Sequence, residues 1–142
     1  MSRYRQMMKN PARFEVHNSW ISDSTRDELF QRAAVVVLPY VSATQSGVVP
    51  VAYSFGKPVV VTDVGALSET VDHGRTGLVV PPRDVKALAE AIITLLRNKQ
   101  SRRQMGANGR RKMQEEWVPD VVARRTVETY KSAIRHRESD KR

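Results

Sequence analysis

Short apolar runs and helical spacings of apolar residues alternate along most of the chain. An uninterrupted apolar run at residues 35–38 predicts a strand that is buried on both faces, as in a parallel sheet. Residues 57–62 repeat this pattern with Pro58 and three consecutive valines. Residues 76–80 predict another short strand. Phe14 and Val16 alternate with polar neighbours, which predicts a further short strand at residues 13–18.

Three helices are predicted between these strands. Residues 25–34 follow capping residues at 22–24 and predict a helix that turns Leu29, Phe30 and Ala33 inward. Residues 47–55 predict a short apolar helix, in which Pro50 is tolerated because it lies in the first turn. Residues 67–72 predict one or two helical turns.

The rest of the chain predicts three more helices. Asp84 is placed to cap a helix, and residues 101–116 predict a second one that is interrupted or bent near Gly106 and Gly109. Pro119 opens a last helix. The predicted inward positions of the first helix are Val85, Leu88, Ala89, Ile92, Leu95 and Leu96. The apolar side of the last is predicted to hold Val122, Thr126 or Val127, Tyr130 and Ile134.

This order of elements predicts an α/β fold, with a parallel sheet joined by right-handed crossovers. Residues 1–96 hold the predicted strands and the helices that flank them. Residues 97–142 predict basic C-terminal helices that pack on the same domain.

Composition fits one soluble domain: 142 residues, of which 40% are hydrophobic and 27% charged. The chain has no cysteine, which excludes disulfides and thiolate metal sites. His17, His73 and His136 are isolated from one another, so we expect no bound metal. No apolar run approaches the ~20 residues of a membrane-spanning helix, and MSRYRQMMKN lacks a signal-peptide core. We therefore expect a cytoplasmic protein.

The net charge of +9 is concentrated in the last third of the chain. Residues 1–96 carry a net charge of +1, whereas residues 97–142 carry +8. Such a basic segment suits nucleic acid, anionic lipid or a phosphorylated ligand. A solubilising helical face explains it equally well.

A polar tetrapeptide precedes the short apolar helix, at the point where a predicted strand ends. Thr44, Gln45, Ser46 and Gly47 lie where ligands bind in open α/β sheets, at the carboxyl ends of strands. Free N–H groups and the positive end of the helix dipole can bind a phosphate there. The alternative is that Ser46 only caps the helix and Gly47 only relieves the turn.

The segment GKPVVVTDVGALSETVDHGRTGLVVPPRDVKALAEAIITLL resembles the C-terminal domain of family 4 glycosyltransferases, which are retaining enzymes with the two-domain GT-B fold. Trp117 before a final helix with Tyr130 is similar as well. The resemblance covers residues 13–134 and implies a partial Rossmann-like domain, with residues 1–96 as an incomplete core that binds a nucleotide-sugar.

In that family, the helix after the first buried strand binds the donor diphosphate. Its two glutamates fall on Ala43 and Val51 here, so both are absent. The chain resembles a variant subset with a Gln-Ser-Gly turn, which implies diphosphate contacts from backbone amides of Ser46, Gly47 and Val48. The donor-binding turn by this resemblance comprises Thr44, Gln45, Ser46, Gly47 and Val48. The means of holding the ribose is left open.

Four further residues are implied near the donor. Gly65 and Glu69 match the family's glycine loop and its glutamate, although Glu69 alternatively caps a short helix. Trp20 and Ile21 lie where the family borders the nucleotide base, and core packing is the alternative for Trp20. The resemblance identifies no catalytic residue.

The family's domain normally opens with strands and with an Arg and a Lys that neutralise the donor phosphates, and residues 1–12 supply neither. We therefore expect a truncated domain or a split-gene product. It would contribute half of a site for a UDP- or GDP-sugar, need no cofactor, and be inactive without a partner chain that supplies the acceptor domain.

Two other function classes stay open. The chain could be a non-catalytic interaction module whose basic C-terminal helices bind anionic membrane, at its peripheral face, or a partner subunit. Nucleic-acid binding ranks last, because the basic segments hold no recognition motif.

Overall fold

Three short parallel strands form the centre of the protein. The computed structural model describes residues 6–139, including the side chains of residues 6–136. The strands β1 (Val36–Leu38), β2 (Val59–Thr62) and β3 (Gly77–Val80) lie in the order β1-β2-β3. Val37 pairs with Val60, which pairs in turn with Leu78 on the other side. The predicted α/β fold with a parallel sheet is confirmed.

Some helices connect the strands, and three more come after the last strand in the sequence. A single 3-10 turn, Pro11–Arg13, precedes them. The α-helices are α1 (Asp23–Arg32), α2 (Val48–Ser54), α3 (Leu67–Thr70), α4 (Val85–Arg97), α5 (Lys99–Glu116) and α6 (Pro119–Ser139). Among residues 6–139, no helix combines the length and the apolar character needed to cross a membrane.

Strand β2 is buried completely because helices pack on both faces of the sheet. Val59 and Val61 face a cluster that contains Val49, Ala52 and Tyr53 of α2. Val60, which points to the opposite face, packs in a second cluster formed with Val80 of β3 and with Ala91 and Leu95 of α4. Successive side chains of a strand point to opposite faces, so burial on both sides requires the uninterrupted valine run.

The predicted helix caps are present. Ser22 accepts a hydrogen bond from the backbone N–H of Thr25 at the start of α1. Asp84 accepts one from the backbone N–H of Ala87 at 2.9 Å. Each cap satisfies one of the N–H groups that the first turn of a helix leaves without a partner.

Helix α5 is continuous, so the predicted interruption near its glycines is wrong. A Cβ atom on Gly106 would lie 1.9 Å from the carbonyl oxygen of Gly56, and one on Gly109 would lie 2.4 Å from Cδ1 of Tyr53. The two glycines let α5 approach the backbone after α2 and the ring of Tyr53. They mark a close contact and not a break.

The inward face of α4 differs from the predicted one. Leu88, Ile92 and Leu95 pack inward as expected, but Val85, Ala89 and Leu96 are exposed. Ala87 and Ala91, which were not predicted to face inward, also pack against the sheet. Only one narrow stripe of α4 contacts β2 and β3, and small alanines suit the close approach of the helix to the sheet.

The strand predicted at residues 13–18 is absent, and this prediction is wrong. Residues 14–18 are irregular and exposed, including Phe14 and Val16. A strand is stable only when a neighbour completes its hydrogen bonds and covers one face. Among the described residues, no strand pairs with the outer edge of β1, so no ladder is available beside the sheet.

Candidate functional site

Two loops meet at the carboxyl ends of β1 and β2. One runs from Pro39 to the start of α2, and the other contains Asp63, Val64 and Gly65. The backbone N–H of Ala66 donates to the carbonyl of Thr44 at 2.8 Å. Deeper in the fold, the hydroxyl of Thr62 donates to the carbonyl of Tyr40 at 2.5 Å. The loops therefore form one bonded unit at the edge where open α/β sheets bind ligands.

Gly65 makes the close meeting of these loops possible. Its φ angle is +55°, in the left-handed region that favours glycine. A Cβ atom there would lie 2.1 Å from the carbonyl oxygen of Ala43 and 2.5 Å from that of Thr44. Any larger residue would push the Thr44 backbone away from the second loop.

Ser46 lies at the entrance of α2 and interacts with the helix start. Its Oγ accepts a hydrogen bond from the backbone N–H of Val48 at 3.2 Å and lies 3.4 Å from the hydroxyl of Tyr40. Gly47 is the N-cap residue, and no heavy atom outside the adjoining residues lies within 4 Å of the position of its missing Cβ. Ser46 therefore accepts a hydrogen bond from one N–H group at the helix start but is not the N-cap residue, and the space beside Gly47 is open.

A cavity of about 370 Å³ opens beside this turn. It brings together three of the residues predicted from sequence, Gln45, Ser46 and Glu69. The other lining residues are Pro50, Thr70, Lys112, Glu116 and Trp117. Thr44, Gly47 and Gly65 lie in the two loops beside the cavity and Val48 is the first residue of α2, and none of the four lines the cavity.

Lys112 is one of the lining residues that sequence reasoning missed. Its side chain is only 11% exposed, and its Nζ contacts Oδ1 of Asp72 at 2.5 Å. One signal could have indicated it: Lys112 follows Gly109 by three residues, so both lie on the face of α5 that packs inward. Lys112 is far in sequence from residues 44–69, so the sequence alone does not show that they share a cavity.

Tyr53 packs against Trp117, which lines the cavity. The ring stacks on Trp117 with centroids 5.8 Å apart, and its hydroxyl donates to Oγ1 of Thr76 at 2.7 Å. Burial raises the pKa of Tyr53 to about 12, with a smaller contribution from the nearby Asp72 carboxylate. The Thr76 hydroxyl, which can donate a hydrogen bond to the phenolate, opposes this rise.

The structure separates Trp20 and Ile21 from the cavity. Trp20 is 98% exposed, so the core-packing interpretation of this residue is wrong. Ile21 is half-buried directly before α1. Neither lines the cavity. The described part of the chain also holds no cluster of three His, Asp or Glu side chains with the geometry of a metal site.

Comparison with known proteins identifies the family of this fold. A family model described as glycosyl transferases group 1 matches residues 3–98. An uncharacterized glycosyltransferase of Methanocaldococcus jannaschii is 30% identical over 115 residues, which cover 81% of this chain and 30% of that protein.

Two solved structures share the fold. Sucrose-phosphate synthase of Thermosynechococcus elongatus has a TM-score of 0.70 at 31% identity, over 82% of this chain and 29% of that one. Anabaena HepE, in complex with UDP, has a TM-score of 0.67 at 24% identity, over 74% of this chain and 29% of that one. The chain spans less than a third of each of these proteins. Because the family model matches about two thirds of its residues, the chain belongs to the group 1 glycosyltransferases.

Proposed function

We propose that this chain binds the diphosphate of a nucleotide-sugar donor for glycosyl transfer, with the turn of residues 44–48 as the binding element. The observation that supports this most is the pair of loops at the carboxyl ends of β1 and β2, joined by the hydrogen bond from the Ala66 N–H to the Thr44 carbonyl, with no room for a Cβ atom at Gly65. In a group 1 glycosyltransferase, this edge of the sheet is where a nucleotide would bind.

The turn offers the chemistry that an anion needs. Backbone N–H groups at the start of α2 and the positive end of its dipole favour negative charge. Gly47 leaves open space at this point, and the hydroxyls of Thr44 and Ser46 add donors. The complex of HepE with UDP supports a uridine nucleotide as one candidate donor, and a guanosine nucleotide is the other.

The remaining predicted residues take roles around the donor. Glu69 lines the cavity beside the turn, where its carboxylate can accept hydrogen bonds from sugar hydroxyls. Gly65 lets the two loops approach each other closely. The exposed indole of Trp20 and the adjoining Ile21 are assigned to the border of the nucleotide base, since an aromatic ring face can stack on a base.

The proposed reaction is transfer of a hexose with retention of configuration. The dipole of α2 and nearby cationic groups would stabilise the departing nucleoside diphosphate electrostatically. We assign no catalytic residue in this chain. The acceptor half of the site would come from a further domain or a partner chain, so we expect no turnover by this chain alone.

Isothermal titration of the folded chain with UDP, GDP and their sugar conjugates tests the proposal. We expect saturable heat with one of the two nucleoside diphosphates. Gly47→Val should abolish this heat because its side chain fills the space beside the turn. Ala107→Val is the matched control, since Ala107 is exposed on α5 and away from the turn.

Two results would contradict the proposal. A folded chain that binds neither nucleotide would leave residues 44–47 as a helix cap alone. Transfer of sugar from UDP- or GDP-hexose by the purified chain, without any partner, would contradict the proposed need for an acceptor domain.

A further inference from the structure

A second concave surface lies at the amino end of the sheet, away from the proposed donor site. It is a cavity of about 240 Å³ between the loop that leads into β3 and the N-terminal part of α5. We call it the polar groove, after the polar side chains that line it: Arg75, Gln100, Ser101, Gln104 and Asn108. Because the strands are parallel, the start of β3 and the carboxyl ends of β1 and β2 lie at opposite edges of the sheet.

Helix α5 runs from the polar groove to the cavity beside the proposed donor turn. Gln104 lines the groove, whereas Glu116, at the end of the helix, lines the cavity beside Ser46. These two positions on α5 are about 18 Å apart along the helix axis, at about 1.5 Å per residue. An acceptor domain that meets the proposed donor site approaches the carboxyl edge of the sheet. Such a domain therefore does not account for a groove at the amino edge.

The polar groove has an excess of positive charge. Among the residues that the structure describes, no carboxylate lines it. Asp72 lies nearby, but its Oδ1 contacts Nζ of Lys112 at 2.5 Å, while its Oδ2 is 3.9 Å from the Arg75 guanidinium. A distance of 3.9 Å is too long for a hydrogen bond. One carboxylate thus serves two cations, and the exposed Arg75 keeps its donors for another anion.

Two further cations lie next to the polar groove on α5. A neighbouring cavity of about 530 Å³ shares Gln100 and Gln104 with the groove and adds Lys99 and Arg103 to the lining. Both cations are exposed, and within the described part of the chain neither forms an ion pair. Arg75, Lys99 and Arg103 therefore surround two adjoining cavities in which no described carboxylate balances their charge.

Neutral hydrogen-bonding groups complete the polar groove. The Asn108 side-chain amide donates to the carbonyl of Arg75 at 2.9 Å, and its Oδ1 accepts from Nε2 of Gln104 at 3.1 Å. These bonds fix the Arg75 loop against α5. A side-chain amide nitrogen carries two N–H groups, so Gln104 keeps one for a ligand, and Gln100 and Ser101 add an amide and a hydroxyl.

We propose that the polar groove binds a small phosphorylated ligand. The Arg75 guanidinium holds the phosphate, since a guanidinium can donate two parallel N–H···O bonds to it. The side chains of Gln100, Ser101 and Gln104 contact the polar body of the ligand. The groove is smaller than the ~300–1,000 Å³ typical of pockets for drug-sized ligands, which favours a compact molecule such as a sugar phosphate. This inference is independent of nucleotide binding at the donor site.

An extended polyanion is a poorer occupant of the polar groove. Nucleic acids and anionic membranes contact cations that are spread along a surface. Here the cations and amides converge on one concave region, and the exposed Arg110 and Arg111, later on α5, lie outside its lining. The arrangement therefore fits a single phosphate group with a short polar body.

Amide NMR spectra of the isotope-labelled full chain test the inference. The probes are glucose 6-phosphate and inorganic phosphate, and glucose is the control without a phosphate. With glucose 6-phosphate we expect saturable shifts of the side-chain amide signals of Gln100, Gln104 and Asn108. Glucose should shift none of them. High salt should weaken the binding, because it screens the exposed cations.

Matched variants separate the polar groove from general positive charge. Arg75→Gln with Arg103→Gln should weaken binding of glucose 6-phosphate about tenfold or more, because charge-assisted hydrogen bonds are lost. Arg124→Gln with Arg125→Gln on α6 removes the same charge and lines neither cavity, so it should leave the affinity largely unchanged. Because all four side chains are exposed, circular dichroism should show folded variants.

Four outcomes would overturn the inference. The first is no saturable shift of the folded wild type up to about 10 mM glucose 6-phosphate. The second is shifts confined to residues 44–48, which would assign the phosphate to the donor turn. The third is equal weakening by the two double variants, which would indicate general attraction. The last is binding to vesicles that contain phosphatidate without binding of glucose 6-phosphate, which would assign the groove to a lipid headgroup.

Discussion

Lys112 of α5 lies with its Nζ 2.5 Å from Oδ1 of Asp72, in the connection between α3 and β3. One turn earlier on α5, the side-chain amide of Asn108 donates to the carbonyl of Arg75 at 2.9 Å. These two bonds fasten α5 to the loop that leads into β3. Because Lys112 lines the cavity beside Ser46, they also fix the position of this part of the cavity lining.

Lys112→Met should lower the free energy of unfolding by about 1–3 kcal/mol, because the half-buried Asp72 carboxylate loses its nearer cation and keeps only the exposed Arg75 guanidinium, 3.9 Å from Oδ2. Lys86→Met is the control, since Lys86 and Glu90 form an exposed pair at 4.0 Å. That change should cost no more than about 0.5 kcal/mol. Urea unfolding at neutral pH measures both, and equal costs would show that the Lys112 contact contributes no more than a surface pair.

Gly65→Ala should disrupt the two loops, and Gly74→Ala is its matched control. Both glycines have positive φ angles, but only at Gly65 does a Cβ atom meet a carbonyl oxygen. We expect both variants to lose about 1 kcal/mol from backbone strain, and Gly65→Ala to lose about 1–3 kcal/mol more from the clash. Urea unfolding separates the two effects. Equal losses of unfolding free energy in the two variants would show that the clash at Gly65 adds nothing to the backbone strain.

The same pair of variants also tests the site. If residues 44–48 bind the donor diphosphate, Gly65→Ala should weaken nucleotide binding about tenfold or more, because it displaces the Thr44 backbone. Gly74→Ala should leave the affinity unchanged. Isothermal titration of the two folded variants gives the comparison, and loss of affinity in both would indicate a general effect of destabilisation.

Gly109→Ala should force α5 away from the Tyr53 ring. The new methyl group would overlap Cδ1 and Cε1 of Tyr53, at 2.4 and 2.7 Å. We expect a loss of about 2–3 kcal/mol and a reduced near-ultraviolet circular dichroism signal, because the Tyr53–Trp117 stack opens. Gly47→Ala, where the added atom meets nothing within 4 Å, should change neither signal substantially.

Tyr53 should make stability depend on alkaline pH. Its folded-state pKa of about 12 lies above the ordinary value of 10.0. The unfolded chain therefore loses this proton first, so the stabilisation is complete below pH 10 and decreases as the pH rises toward 12. The full effect of such a shift is about 2–3 kcal/mol.

Urea unfolding of wild type and Tyr53→Phe between pH 8 and 11 isolates this contribution from that of lysines and other tyrosines. At pH 8 the variant should be less stable by about 1 kcal/mol, because the bond to Thr76 is lost. The gap should narrow as the pH rises above 10. A constant gap over this range would contradict the raised pKa.

The strands and helices with strong local signals were predicted correctly from sequence. Valine runs specified β1 and β2, because a strand that is covered on both faces needs apolar side chains at successive positions. Ser22 and Asp84 specified the starts of α1 and α4 because a cap is a local interaction. The strand expected at residues 13–18 failed because a strand depends on a neighbour, and an alternating pattern does not show whether one is present.

Only part of the candidate site could be predicted from the sequence. Gln45, Ser46 and Glu69 lie close to each other in the chain, and the structure places all three on one cavity. Lys112 and Trp117 reach the same cavity through the packing of α5 on α2, which no local pattern encodes. The glycines of α5 suggested an interruption or bend, but they let the helix approach Gly56 and the ring of Tyr53, which are remote in sequence.

The dependence of Tyr53 on α5 has a consequence for synthesis on the ribosome. The three strands are adjacent in both sequence and space, so the sheet can assemble while the chain is still being made. The ring of Tyr53, however, is covered only when Gly109 and Trp117 have emerged from the exit tunnel. Until then the nascent chain presents an aromatic surface, and a chaperone would have its longest opportunity to bind in that interval.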